Sequence, residues 1–255
     1  QSMQLWDRIV WCTNWVGERV LRGVNRLIAR ASVLPDQPFY DPKLFPWVEP
    51  IEAQWSTIRK ELDAVLAHRD DLPNFQEIST DQLQITDDDR WKTFFLYGYG
   101  FRSDANCARC PETAKLVEAI PGMKTAMFSI LSPHKHIPPH DGPFKGVVRY
   151  HLGLIVPDPA AQCTITVGGE TAQWSEGASL VFDDTYVHEV HNDTDGTRVV
   201  LFVDVVRELR GVMRYVNLAL VKAIGYSPFV QDAKHRHLEW ERRYAALQGG
   251  LRNPT

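Results

Sequence analysis

Between residues 91 and 206 the chain is cut into short runs of β-forming residues, and this pattern constrains its architecture more than any other feature. The runs 91–101, 124–131, 147–156, 163–167, 172–174, 179–182, 188–191 and 197–206 favour strands, most of them separated by Gly, Pro, Asp and Asn turns. A helix-like stretch, 111–120, stands between the first two. Many short strands at such spacing argue a sandwich or a barrel.

The flanks read differently. Over 5–31 the apolar residues Trp6, Val10, Trp11, Val20, Leu21, Val24, Leu27 and Ile28 recur at near-helical intervals, with Arg8, Arg19, Arg22, Arg26 and Arg30 between them. This is a basic amphipathic helix, with a break expected near Gly17. It either packs on the body of the protein or lies on a membrane surface, where Trp and Arg suit the headgroup boundary. A Pro-punctuated segment, 34–50, is expected to be extended or turning, and 51–68 resumes helical spacing. Residues 70–90 are acidic and read as a surface loop. The tail, 211–251, returns to helix with a break at Tyr226-Ser227-Pro228. The expected organisation is helices and an irregular segment over 3–90, a β core over 91–208 and helices over 209–255.

At 255 residues one compact catalytic unit is expected. A net charge of -4 gives no support to a nucleic-acid partner. No apolar run is long enough to cross a bilayer, and the first thirty residues carry too many charges for a secretory signal, so the expectation is a cytoplasmic protein with peripheral membrane contact through the first helix as an option. Gln1 and Ser2 ahead of Met3 read as tag residues, which places the expected native start at Met3. Of the four cysteines, Cys12, Cys107, Cys110 and Cys163, only Cys107 and Cys110 are close in sequence. Half a zinc site is not a zinc site, and free thiols are expected.

Histidine carries the chemistry. Six of nine, His134, His136, His140, His151, His188 and His191, fall in or beside the β region. Imidazole binds iron, zinc, copper and nickel alike, so the ligand type does not name the metal. In the run 147–156 Arg149 and His151 share one face by the period of two. Arg198 opens the apolar run 197–206. A buried arginine there needs either a carboxylate such as Asp183, Asp184 or Asp204, or an anionic ligand; its planar fork suits a carboxylate, and two arginines with Ser and His donors would suit a dicarboxylate such as 2-oxoglutarate. His134, His136 and His191 have weaker claims as ligands; His136 is expected to share a face with His140.

The stretch from Phe128-Ser129-Ile130 through His136-Ile137-Pro138-Pro139-His140-Asp141-Gly142-Pro143, then Arg149-Tyr150-His151-Leu152-Gly153-Leu154, Phe182-Asp183-Asp184, Val187-His188-Glu189-Val190 and Arg198 resembles the aspartyl/asparaginyl β-hydroxylase family over roughly residues 91–208. The resemblance implies a mainly β chain with a double-stranded β-helix (jelly-roll) core, N- and C-terminal helices, and an Fe(II)- and 2-oxoglutarate-dependent dioxygenase. It assigns iron to His140 and His188, the distal carboxylate of the 2-oxoglutarate co-substrate to Arg198 with Ser129, and its metal-proximal end to Arg149 with His151. Oxygen, O2, takes a remaining open position on the metal. Asp184 matches a position that orders a metal-bound water, with a plain strand-end aspartate as the other reading. The wider class adds a carboxylate two residues after the first histidine; here Gly142 stands there, as the two-histidine members of this family have it.

Two substrates compete under this resemblance. The first expectation is the β-carbon of an aspartyl or asparaginyl group, in a protein, a peptide or a small molecule. The alternative is 2-hydroxylation of a lipid acyl chain, suggested by the segment Pro38 to Pro46, the run Cys110-Pro111-Glu112-Thr113 and the basic tryptophan-rich first helix. A metal- or anion-binding cupin-like sensor without turnover is the non-enzyme alternative. A zinc hydrolase ranks below it for want of a catalytic Glu.

Overall fold

The computed structural model describes residues 19–251. Strands β1 (Phe39–Tyr40), β2 (Trp91–Gly98), β3 (Phe101–Arg102), β4 (Met123–Leu131), β5 (Lys135–His140), β6 (Val147–Ile155), β7 (Cys163–Val167), β8 (Glu170–Gln173), β9 (Ser179–Phe182), β10 (His188–Asn192) and β11 (Arg198–Val206) form two sheets. The larger has the order β1-β9-β6-β11-β4-β2-β3 and the smaller β5-β10-β7-β8. The strands β4 to β11 pair in nested antiparallel fashion: β4 with β11, β5 with β10, β6 with β9 and β7 with β8. One long hairpin thus folds over on itself into two facing walls, which is the jelly roll expected from the sequence.

Burial follows from what covers each wall. In β7 and β10 buried and half-buried residues alternate, because the outer face of the small sheet is open to water. In β11 eight of nine residues are buried. The outer face of the large sheet is roofed by α3 (Trp55–Leu66), α5 (Asp104–Arg109) and α6 (Pro111–Glu118), so Tyr150, Leu152, Val199 and Leu201 pack against Ile58, Leu62 and Val117. The inward face of the same strands meets the small sheet through Met127, Leu131, Val200, Phe202, Ile165 and Trp174.

The remaining helices are α1 (19–31 of the described residues), α2 (Val48–Glu52), α4 (Phe75–Ile78), α7 (Met213–Gly225) and α8 (Pro228–Leu251). The first part of the expected amphipathic helix, with Trp6, Val10 and Trp11, lies outside the described residues. Pro228 begins α8 where the break was expected. The segment 70–90 is not simply a surface loop. It holds α4, whose Phe75 ring meets Trp91 edge-on at 4.7 Å, and Leu72, Ile78, Ser79 and Thr86 are buried.

Strand β5 has no clear strand signal in the sequence, because Pro138 and Pro139 forfeit two ladder donors. The structure tolerates them because β5 is an edge strand. They also form a bulge: His140 pairs with His188 and Ile137 with Val190, three steps on β5 against two on β10. The extra residue flips the face. His140 therefore lines up with buried Ile137, and His136 is exposed on the outside, contrary to the expectation that His136 and His140 share a face.

A buried ion cluster ties the first segment to the barrel. Arg207 donates to Asp183 at 2.7 Å, to the Lys145 carbonyl at 2.7 Å and to the Tyr40 hydroxyl at 2.9 Å, and Lys145 lies 2.7 Å from Asp183. Removing one member leaves an uncompensated buried charge. Arg207→Leu is expected to cost about 3 kcal/mol, the low end of the range for such losses because Lys145 still pairs with Asp183, and denaturant unfolding measures it.

Candidate active site

His140 on β5 and His188 on β10 are cross-strand partners, with ring centroids 4.1 Å apart. Each ring is fixed by its own backbone. Nδ1 of His140 bonds the Pro138 carbonyl at 2.8 Å and Nδ1 of His188 the Tyr186 carbonyl at 2.9 Å, so Nδ1 carries the proton and Nε2 has a lone pair that could accept a metal on both. Burial, the neighbouring His140 and Arg149 pull the His188 pKa down to about 3. Burial also lowers that of His140, so both rings are neutral, as metal ligation requires.

Among the described residues, no trio of His, Cys, Asp or Glu with ligand atoms all within 4.8 Å of one another includes this pair. Gly142 explains the gap: a Cβ there would lie 2.4 Å from Asp184 Oδ2, so the Asp184 carboxylate fills the space a side chain at 142 would need. The Gly142 amide donates to the Asp184 carbonyl at 2.7 Å, which locks the two segments together. Even Gly142→Ala is expected to displace Asp184 and lower the thermal unfolding midpoint, at a cost of about 1–3 kcal/mol, and Gly142→Asp is expected not to supply a working third ligand.

Asp184 is buried beside Arg149, whose Nη2 is 2.9 Å from its Oδ2, while Oδ1 has no hydrogen-bond partner. Burial raises the Asp184 pKa to about 6; Arg149 opposes the shift and Asp204 adds to it. Arg149 is also held by Asp204 at 2.9 Å and lies over the Phe202 ring. Burial disfavours its charge, but Asp184 and Asp204 more than offset that, and its pKa stands above the ordinary value.

The opposite part of the barrel interior holds polar atoms without partners. Arg198 is 2 % exposed, and its Nε and Nη1 have no hydrogen-bond partner. The aspartates open to it in the sequence are engaged elsewhere, Asp183 with Arg207 and both Asp184 and Asp204 with Arg149. Burial pulls the Arg198 pKa down to about 10, which still leaves it charged at neutral pH. Its guanidinium lies 4.6 Å from the Trp174 ring centroid. The Trp174 indole N–H and both ring nitrogens of His151 are buried and unpaired as well. Burial, Arg198, Arg149 and His188 hold His151 neutral. Ser129 accepts from the Trp91 indole at 3.0 Å, which leaves its own proton to donate; Thr93, its cross-strand neighbour, has a buried unpaired hydroxyl.

Trp174, Trp91 and Thr93 escape sequence reading, since nothing in their runs sets them apart from core residues. A buried unpaired donor costs about 1–3 kcal/mol, more when charged. Several facing one interior imply an oxygen-rich anionic ligand. Iron fits the paired imidazoles, and a dicarboxylate fits Arg198 with its neutral donors.

From Arg149, Asp184 and Asp204 a cavity of about 460 Å³ runs outwards, lined by Phe75, Phe95, Met127, Phe144, Ile224 and Phe229 among others. Its wall is mostly apolar beyond that charged end, with Ser79, Gln82, Thr125, Lys234 and His237 as its polar members. Cys107 and Cys110 lie outside it, buried with free thiols, and burial pushes that of Cys110 up to about 12. Among the described residues no helix is long and apolar enough to cross a membrane.

A family model described as aspartyl/asparaginyl beta-hydroxylase matches residues 52–208. An ornithine lipid ester-linked acyl 2-hydroxylase of Rhizobium tropici is 48% identical over 234 residues, which cover 92% of this chain and 83% of the relative. The human aspartyl/asparaginyl beta-hydroxylase is 33% identical over 198 residues, 74% of this chain but 24% of that much longer protein. Among solved structures, a Pseudomonas putida prolyl-4-hydroxylase aligns with a TM-score of 0.39 at 19% identity, over 62% of this chain and 88% of that one.

Proposed function

The chain belongs to the aspartyl/asparaginyl β-hydroxylase family, and on that premise we propose that it is an iron(II)- and 2-oxoglutarate-dependent dioxygenase that hydroxylates the acyl chain of a membrane lipid. The observation that carries the co-substrate half is Arg198, a buried cation with no carboxylate partner among the described residues and with Nε and Nη1 free of hydrogen bonds. A 2-oxo dicarboxylate neutralises it through its distal carboxylate, with Ser129 and Thr93 as hydroxyl donors on the same face of the sheet. His140 and His188 hold the metal by Nε2. When bound, iron would activate O2, the oxidant, with 2-oxoglutarate giving two electrons as it becomes succinate and CO2 and the substrate C–H bond giving the other two.

The protein's own groups do the rest. The Pro138 and Tyr186 carbonyls fix the tautomer of each ligand. Asp184 has a free Oδ1 that would accept a hydrogen bond from a water in the metal site, and Arg149 holds that carboxylate in place. His151 and Trp174, neutral and unpaired, serve the co-substrate without adding charge. The apolar cavity keeps water from the reacting carbon.

That cavity and the Rhizobium relative favour a lipid over the aspartyl group first expected. A long acyl chain uses the aromatic and aliphatic carbon that makes up most of the wall, whereas an aspartyl side chain would use only its few polar members such as Lys234 and Gln82. Access from a bilayer also fits. Leu21 of α1 and Phe229 of α8 line the cavity, and Val20, Leu27, Tyr226 and Phe229 nearby are exposed, with Arg26 and Arg30 on α1. A helix of this kind suits an anionic membrane surface.

Bacterial lipid extract and aspartyl peptides, each incubated with enzyme, iron(II) and 2-oxoglutarate, separate the readings by mass spectrometry. A gain of one oxygen in an acyl chain is expected. A gain in the peptide alone restores the aspartyl reading, and 2-oxoglutarate-independent metal binding with no product supports the sensor.

A further inference from the structure

On the outer face of the small sheet a second set of ligating side chains converges, which the hydroxylation does not use. His136 on β5 and His191 on β10 are cross-strand partners, and Glu189 precedes His191 by two residues on the same face. The two imidazoles stack with centroids 4.1 Å apart and planes 17° from parallel. Their Nε2 atoms lie 3.1 and 3.2 Å from one oxygen, Glu189 Oε2. One ligand atom from each residue falls within 4.8 Å of the others.

We propose that His136, Glu189 and His191 form a second metal site, for a divalent transition ion of the zinc type. Ligand choice agrees: two imidazoles and a carboxylate are borderline donors suited to zinc and its neighbours in the series rather than to calcium or magnesium. Spacing agrees as well. Bonds of about 2.0–2.1 Å in a tetrahedron set neighbouring ligand atoms about 3.3 Å apart, close to the two N···O separations here, and one ring turning out of the stack brings both lone pairs onto a shared ion. Asp193 Oδ2 stands 3.7 Å from Nδ1 of His191, where a small shift lets it accept that ring's proton and orient it, as carboxylates behind metal-bound histidines do. Exposure of the cluster leaves a fourth position to water.

The location gives the ion a task. β5 is an edge strand whose ladder is interrupted by two prolines and a bulge. It carries His136 and His140, while β10 carries Glu189, His191 and His188. An ion bridging His136 to Glu189 and His191 staples the edge strand to its neighbour one bulge away from the His140–His188 pair, and so fixes the separation of the inner ligands from outside.

Zinc itself is the probe, with tag-free protein and a chromophoric chelator as competitor. Two zinc ions per wild-type chain are expected, one for His140→Ala/His188→Ala, one for His136→Ala/His191→Ala, and none when all four are replaced. In the His140→Ala/His188→Ala protein, zinc is expected to raise the thermal unfolding midpoint, and adding Glu189→Gln is expected to abolish the rise. If the inner-site double variant does not fold, the wild type and His136→Ala/His191→Ala decide it by their difference of one ion. Equal zinc content in those two proteins overturns the proposal, as does a folded inner-site variant that binds none. Neither result touches the hydroxylase reading, which rests on turnover.

Discussion

Replacing Arg198 by Met is expected to stabilise the ligand-free protein while crippling its use of 2-oxoglutarate. The guanidinium is buried, charged at neutral pH and unpaired by any carboxylate among the described residues. Desolvating a charge without a partner costs several kcal/mol, and an apolar side chain of similar volume removes that cost. A higher unfolding midpoint, by about 1–4 kcal/mol in stability, is therefore expected without co-substrate. Truncating one partner of a buried charge pair costs about 2–5 kcal/mol in binding, so the 2-oxoglutarate requirement should rise by roughly two to three orders of magnitude. Iron binding should be largely kept. These two shifts run in opposite directions, which a purely structural arginine does not produce: loss of a structural ion pair lowers stability and leaves the co-substrate requirement alone.

Loss of either inner histidine is expected to have the largest effect on turnover. If the proposed centre has two protein ligands in place of three, no spare donor among the described residues stands ready to take over, since Asp184 occupies the space beside Gly142 and is bound to Arg149. His140→Ala and His188→Ala should each reduce iron-dependent succinate formation by at least about three orders of magnitude, equivalent to roughly 4 kcal/mol of barrier. Full activity in either variant defeats the assignment. Asp184→Asn is the informative milder change. It keeps the shape beside Gly142 but weakens the pairing with Arg149 and the hold on a metal-bound water, so a partial loss is expected.

Much of this arrangement is legible in the chain because the period of two on β6 and β11 places Arg149, His151 and Arg198 on faces the core must cover. The nested pairing of β4–β11 then brings distant runs together. Other parts are hidden for physical reasons. β5 carries one inner histidine, yet Pro138 and Pro139 erase its strand signal, and the bulge they form reverses which histidine faces inwards. Residues 70–90 look too acidic to be anything but surface, but Phe75 and Ile78 reach the cavity wall from a single helical turn. The polar charge of that stretch says where its other residues are, not where these two point. Whether Arg198 pairs with an aspartate depends on competition by Arg207 and Arg149 for Asp183, Asp184 and Asp204, which only three-dimensional placement settles. Trp174 is recognisable only through its unpaired indole N–H.

The proposal of a lipid substrate rests on cavity chemistry and the lipid-hydroxylating relative, not on the proposed inner ligands. On the proposed reading the same two histidines and arginine would serve any substrate of this class, and the wall that runs from Asp184 to Phe229 would set specificity. A most direct test joins both halves in one tube. Enzyme, iron(II), 2-oxoglutarate and lipid extract are incubated under isotopically labelled O2, and succinate and lipid are both measured by mass spectrometry. One labelled oxygen in an acyl chain for each succinate formed, with both products absent in His140→Ala and His188→Ala, is the expected result. Labelled lipid without succinate, or unchanged product formation after loss of either histidine, would contradict the two-histidine, 2-oxoglutarate-dependent centre.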